Sequence, residues 1–170
     1  MDTSALLTDL FSRVDEHVDD AIDGLAPELL IAQPAPSTNP IGWLIWHLTR
    51  VEDHHVAEIL GVDQIWMTGQ WASQFGVDPD PHNTGYGHSD DEVRSIRPVS
   101  SDALLGYYRA VAGRTRDFVA TLQPDDLDRV VDKRWNPPVT LGVRLVSIAD
   151  DAIQHSGQAN YARGILERQR

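Results

Sequence analysis

One stretch limits the fold of this chain more than any other. Between Leu141 and Leu166, the residues Leu141, Leu145, Ile148, Ala152, His155, Ala159, Ala162 and Leu166 recur at steps of 4, 3, 4, 3, 4, 3 and 4. That is an unbroken seam of the kind a helix presents to neighbouring helices. Its only polar member is His155. Ala152 and Ala159 flank it one turn before and after, so small side chains open room around the imidazole. Asp151 precedes His155 by four residues, which puts it about 40° away and one turn earlier on the same face. Asp150 falls roughly 140° away and is assigned to solvent. A carboxylate oxygen and an imidazole nitrogen at this spacing form either a metal-ligand pair or a hydrogen bond that orients the ring.

Three more segments show helical periodicity. The first is expected from about Ser4, as cap, to Leu25, with Leu7, Leu10, Phe11, Val14, Val18, Ile22 and Leu25 inward and Gly24 and Pro27 as stops. The second starts with Asn39 as cap and Pro40 at the first helical position, and runs to Leu60 and Gly61. The third runs from about Ser101 to Leu122, with Leu104, Leu105, Tyr108, Val111, Thr115, Phe118, Val119 and Leu122 inward. The seam segment is capped by Thr140. No run reads convincingly as a strand. Residues 62–99 and 124–138 are connections. The first is long enough to need a reason, either covering a site or bridging two parallel helices. Gln64–Met67 and Asp90–Arg94 within it read as short helical turns. The expectation is an all-α four-helix bundle with one long crossover between helices 2 and 3, a single domain over residues 1–170.

Composition narrows the function. The chain has 170 residues, 41% hydrophobic and 24% charged, a globular balance. Its 26 acidic residues against 14 basic ones give a formal charge of -12, which disfavours a nucleic-acid partner. There is no cysteine, so disulfides, thiolate metal sites and a cysteine nucleophile are excluded. The N-terminus has no basic region followed by a long apolar run, and no segment has membrane-spanning hydropathy. A cytoplasmic protein without a membrane partner is expected.

The second helix offers a partner for the Asp151–His155 pair. Its inward stripe includes Ile41, Leu44, Leu48 and Val51, and His47 borders it in WLIWHLTRVEDHH. His54 lies seven residues on, about 10 Å further along the axis, so only one of the two can share a metal with the fourth helix. His55 borders the same stripe. His17, His82 and His88 fit surface or loop roles, and Trp43 and Trp46 fit the core.

The segment NPIGWLIWHLTRVEDHHVAEIL, followed at a distance by DDAIQHSGQANYARG, resembles the DinB-like superfamily of metal-binding four-helix bundles over essentially the whole chain. The resemblance implies a divalent metal held by His47, Asp151 and His155. Asp151 stands where many members have a histidine and where others, similar to mycothiol-dependent maleylpyruvate isomerases, have a carboxylate. It also implies thiol chemistry: a metal-dependent S-transferase that uses a low-molecular-weight thiol, mycothiol foremost, against small electrophiles. Zinc suits these ligands, and nickel is an alternative. Three protein ligands with an open position make a catalytic site, where a bound metal deprotonates a thiol at neutral pH. Arg50, Arg144 and Gln158 are the cosubstrate-binding candidates, with Arg134 beside them and Trp66, Trp71 and Trp135 as pocket walls. The alternatives are a maleylpyruvate-type isomerase and a non-catalytic metal-binding stress protein. A homodimer would suit such a bundle.

Overall fold

The computed structural model of the chain describes residues 1–169. Four long helices form the bundle: α1 (Thr3–Ile22), α3 (Ile41–Leu60), α7 (Ser101–Val119) and α8 (Leu141–Arg168). Between them lie the short helices α2 (Pro27–Leu30), α4 (Ile65–Thr68), α5 (Trp71–Gln74) and α6 (Asp90–Ser95), and a 3-10 turn at Pro124–Asp128. A small antiparallel pair, β1 (Val130–Asp132) and β2 (Val139–Thr140), joins that turn to α8. The sequence pattern gave no warning of this pair, because two or three residues cannot show a period of two.

Cross-helix bonds fix the directions. Tyr108 and Arg116 of α7 both reach Asp15 of α1, and Arg109 reaches Asp19, so α7 runs antiparallel to α1. Asn160 and Arg163 of α8 donate to the carbonyls of His17, Asp20 and Asp23, while Leu7 and Phe11 pack near Leu141 and Leu145, so α8 runs parallel to α1. Tyr107 meets Asp53 and Arg114 meets Asp63, so α3 and α7 are parallel. A parallel pair of consecutive bundle helices needs a long crossover, which residues 62–99 supply. α3 packs against both α7 and α8.

Helix ends follow local chemistry and correct four boundaries. α1 is capped by Asp2, whose carboxylate accepts from Ala5 N at 2.9 Å, rather than by Ser4. It ends at Ile22, short of Leu25, with Asp23 already extended. α3 has no side-chain cap: Pro40 itself is the boundary residue and Asn39 lies outside. α7 ends at Val119, three residues before Leu122. Thr140 caps α8 as expected, accepting from Val143 N, and Gly61 ends α3 in the left-handed region that glycine favours.

The α8 seam is buried at every apolar position. α3 differs from its expected stripe. From Ile41 to Arg50 it is buried all round, Val51 is only partly buried, and Glu52 and Asp53 are fully buried. The crossover folds over this helix and covers Arg50 and Asp53, whereas Glu52 faces Thr115 of α7. Asp53 accepts from Ile65 N at 2.9 Å, Trp66 N at 2.8 Å and the Tyr107 hydroxyl at 2.8 Å. Arg50 donates to the carbonyls of Asn83, Asp80 and Pro81. The oppositely charged Arg50 and Asp53, 3.5 Å apart, thus tie down a loop whose backbone groups would otherwise lack partners. Among the described residues, no helix is long and apolar enough to cross a membrane.

Candidate metal centre

Midway along the α3–α8 contact, three ligand-type side chains converge. His47 Nε2 lies 3.7 Å from Asp151 Oδ1, and His155 Nε2 lies 3.6 Å from the same oxygen. One atom from each of the three lies within 4.8 Å of the others. The two imidazole rings meet edge to face at 4.8 Å.

The far nitrogen of each ring decides which nitrogen faces inward. His47 Nδ1 is 2.5 Å from the carbonyl oxygen of Thr84, and a carbonyl only accepts, so Nδ1 carries the proton. His155 Nδ1 lies 2.8 Å from Gln158 Oε1, which also only accepts. With Gln158 so oriented, both rings carry a proton on Nδ1 and turn Nε2 toward Asp151. This is the outer-shell arrangement that orients metal-binding histidines. Trp43 stacks flat on His47, with centroids 4.7 Å apart and planes 11° from parallel. The crossover reaches His47 only because residue 85 is glycine. A Cβ there would lie 2.8 Å from His47 Nδ1 and 2.9 Å from the Trp46 ring, and its φ of +92° is itself glycine territory.

The residues fit a divalent metal. Asp151 Oδ2 is buried without a hydrogen-bond partner, an expensive state for a carboxylate oxygen unless a cation compensates it. Ligand atoms around a four-coordinate zinc are spaced by about 3.4 Å, close to the separations between Asp151 and each ring. The donor set of two imidazoles and one carboxylate suits zinc. A cavity of about 500 Å³ opens beside the group, lined by His47 and Asp151 together with His82, Thr84 and Tyr86 of the crossover. Asp150, one residue away, is exposed as expected.

A second ligand-type group, His54, His55 and Glu58, sits further along α3, and its two histidines line the same cleft. Its surroundings oppose a cation. Arg144 NH1 lies 3.4 Å from His55 Nε2, and a guanidinium only donates, so Nε2 accepts and the proton sits on Nδ1. Arg134 lies 3.3 Å from Glu58. Burial first, and the Arg144 charge second, push the His55 imidazole down to about 4, so it is neutral at pH 7. Its Nδ1 is buried without a partner: Glu58 Oε2, at 3.9 Å, is beyond hydrogen-bond reach.

The remaining predicted residues separate into two sets. Arg50 is fully buried and bonded to Asp53, Tyr107 and three loop carbonyls, so it is a brace for the crossover and not a cosubstrate contact. Trp66 is fully buried in the core beneath Arg50, and Trp71 packs on Tyr107; neither is a wall of this cleft. Arg144, Arg134 and Trp135 do line the cleft. Arg134 and Arg144 share Asp132, at 2.8 and 2.9 Å, and hold its carboxyl far below the usual range. Gln158 holds His155. His17 and His82 lie in surface positions, but His88 is tied in: it accepts from Trp43 Nε1 at 3.2 Å and stacks on Trp46. The contributions of Thr84 and Gly85 were invisible in the sequence, since a carbonyl has no residue signature. The Trp43–His47 stack was foreshadowed only by its spacing of four residues.

Known proteins bear on the site. The model of the family described as mycothiol-S-transferase matches residues 6–168. A crystal structure of a conserved protein from Enterococcus faecalis superposes with a TM-score of 0.88, at 29% identity, covering 97% of each chain. No curated protein matches.

Proposed function

The chain belongs to the mycothiol-S-transferase family, a DinB-like family, and we propose that it is a metal-dependent thiol S-transferase whose divalent metal, zinc foremost, is held by His47, Asp151 and His155. The observation that carries this reading is the pair of rings held at Nδ1 with Nε2 facing Asp151 Oδ1, beside its buried, unpartnered Oδ2. Such a metal, when bound, lowers the pKa of a thiol that approaches it.

The chain's own residues do the rest. Thr84 and Gln158 hold the two rings, and Trp43 keeps His47 from rotating. One carboxylate and two neutral imidazoles leave a divalent centre formally positive by one, which favours an anionic sulfur. The open cavity admits the thiol from the crossover side. In the transfer, sulfur forms the new bond to carbon, the leaving group departs with the bonding pair of the bond that breaks, and the thiol proton passes to water. With no cysteine in the chain, the nucleophile comes from the cosubstrate, mycothiol, and the acceptor is a small electrophile. The protein acts as a single domain in the cytoplasm.

Mass spectrometry of metal in untagged protein tests this. Near one equivalent in the parent and none in His155→Ala is expected. Cobalt-loaded protein should then gain a sulfur charge-transfer band on adding mycothiol. A protein that takes no metal even in excess zinc, or cobalt-loaded protein with no such band, would sink the reading.

A further inference from the structure

Trp43 touches both histidines of the metal group. Its indole lies flat on His47, with centroids 4.7 Å apart, and meets His155 edge-on at 6.3 Å and 86°. One rigid ring therefore sets the plane of the first imidazole and walls the second. Stacking alone lets an indole turn in its own plane, and a bond at its rim stops that turn. The only polar atom on the rim is Nε1, which donates to His88 Nδ1 at 3.2 Å.

His88 is held in turn. An indole N–H only donates, so His88 Nδ1 accepts and the ring proton sits on Nε2. That nitrogen lies 2.8 Å from Asn83 Oδ1. The same oxygen accepts from Gly85 N at 3.2 Å, so the orientation of the amide does not depend on His88. The His88 ring also stacks on buried Trp46, with centroids 5.8 Å apart and planes 24° from parallel. Arg50 Nε fixes the Asn83 carbonyl. Segment 83–88 thus grips His47 twice. Thr84 does so directly through its carbonyl, and His88 does so through Trp43.

We propose that His88 is a positioning residue for the metal group: it fixes Trp43, and Trp43 fixes both imidazoles. The proposal rests on the reading of His47, Asp151 and His155 as metal ligands. His88 is not a fourth ligand. The indole takes its Nδ1 lone pair, and its Nε2 carries the proton that Asn83 accepts.

Competition for zinc with a chromophoric chelator tests this in three variants. His88→Phe keeps a ring against Trp46 and removes the acceptor. His88→Asn gives up the ring and places Oδ1 where Nδ1 stood. Zinc affinity should fall about fivefold in His88→Phe, the scale of one lost hydrogen bond, and recover in His88→Asn. A role in packing alone gives the reverse order and would overturn the proposal. Trp43→Phe keeps a ring on His47 and removes the donor, so adding His88→Phe to it should weaken zinc no further. Losses that add in the double variant would overturn the proposal too. In metal-free protein, proton NMR should show the Trp43 indole proton exchanging faster in His88→Phe than in the parent or His88→Asn. Equal exchange in all three would mean that His88 does not hold the indole. If the parent itself takes no zinc, the metal reading fails and this role fails with it. If the parent takes zinc and His88→Phe binds it equally well, this role alone fails.

Discussion

α3 contributes to two groups of metal-type ligands about two turns apart, His47 to the first and His54, His55 and Glu58 to the second, and they differ in what lies behind each ring. His47 and His155 have acceptors, a backbone carbonyl and an amide oxygen, on their far nitrogens. His55 has a donor, the Arg144 guanidinium. The residue types are nearly the same in both groups: two histidines with a carboxylate. The first arrangement turns both Nε2 atoms toward Asp151 Oδ1, while Asp151 Oδ2 stays buried without a partner. The second leaves a proton on Nδ1 that is buried without an acceptor, with two cations nearby. The difference teaches that the partner of the second nitrogen, more than ligand identity or spacing, decides whether a histidine is ready for a metal.

The strongest way to break this comparison is to remove ligands from each side. His47→Ala, Asp151→Ala and His155→Ala should each lower zinc affinity beyond the roughly 100-fold that outer-shell changes reach. His54→Ala and Glu58→Ala should leave it within about twofold, because neither touches the first group. Competition with a chromophoric chelator reads both. Zinc retained in His155→Ala but lost in Glu58→Ala would reverse the assignment.

Between the two groups on the same helix lies a control that should move stability without touching either. Glu52 is fully buried, one of its oxygens lacks a partner, and burial pushes its carboxyl up to about 7. Its folded-state pKa is above the unfolded value of 4.5, so the folded state holds the proton more tightly. The stabilisation is full below about pH 4.5 and is lost as pH rises to about 7, a swing of about 3 kcal/mol. Glu52→Gln, an uncharged isostere, should flatten that part of the urea-stability profile against pH while zinc affinity stays unchanged. An unaltered slope would mean that Glu52 ionises freely.

The sequence showed the metal group better than its supports. The α8 seam and the Asp151–His155 pair follow from periodicity, and every apolar seam position is buried. The burial of the charged residues of α3 lay outside the reach of periodicity, which follows apolar positions only. Arg50 and Asp53 are buried by a crossover that contacts them through its backbone, and backbone contacts leave no trace in residue types; Glu52 is buried against Thr115 of α7. The same blindness hid Thr84 and Gly85. The Asp132–Arg144 pair, which delivers the donor to His55, depends on a two-stranded turn too short to show a pattern.

Those supports give the next test. Gln158→Leu keeps all three ligands but removes the acceptor from His155 Nδ1, and Gly85→Ala drives a methyl against His47 Nδ1. Each should weaken zinc about 10- to 100-fold, with the fold intact by circular dichroism. Gln158→Glu, which keeps an acceptor, should recover most of the loss. If Gln158→Leu binds zinc like the parent, the tautomer argument for the first group fails while its ligands stand.

The smallest effect is the most specific to the comparison. Nitrogen-15 NMR at pH 7 should show His55 neutral with its proton on Nδ1, the same tautomer as His47 and His155. In those two the proton meets an acceptor, whereas in His55 it is buried without one. His55 should stay neutral until about pH 4. Because its folded pKa is depressed from 6.5, its contribution to stability is complete above that pH and declines as pH falls toward 4. Arg144→Leu removes both the donor to Nε2 and the second cause of the depression, so the His55 pKa should rise and the two tautomers should mix. Burial, the larger cause, remains, so the rise stays partial. If the tautomer is unchanged in Arg144→Leu, the guanidinium is not what orients the ring. The contrast between the two histidine groups would then have to rest on the unpaired carboxylate oxygen of Asp151 alone.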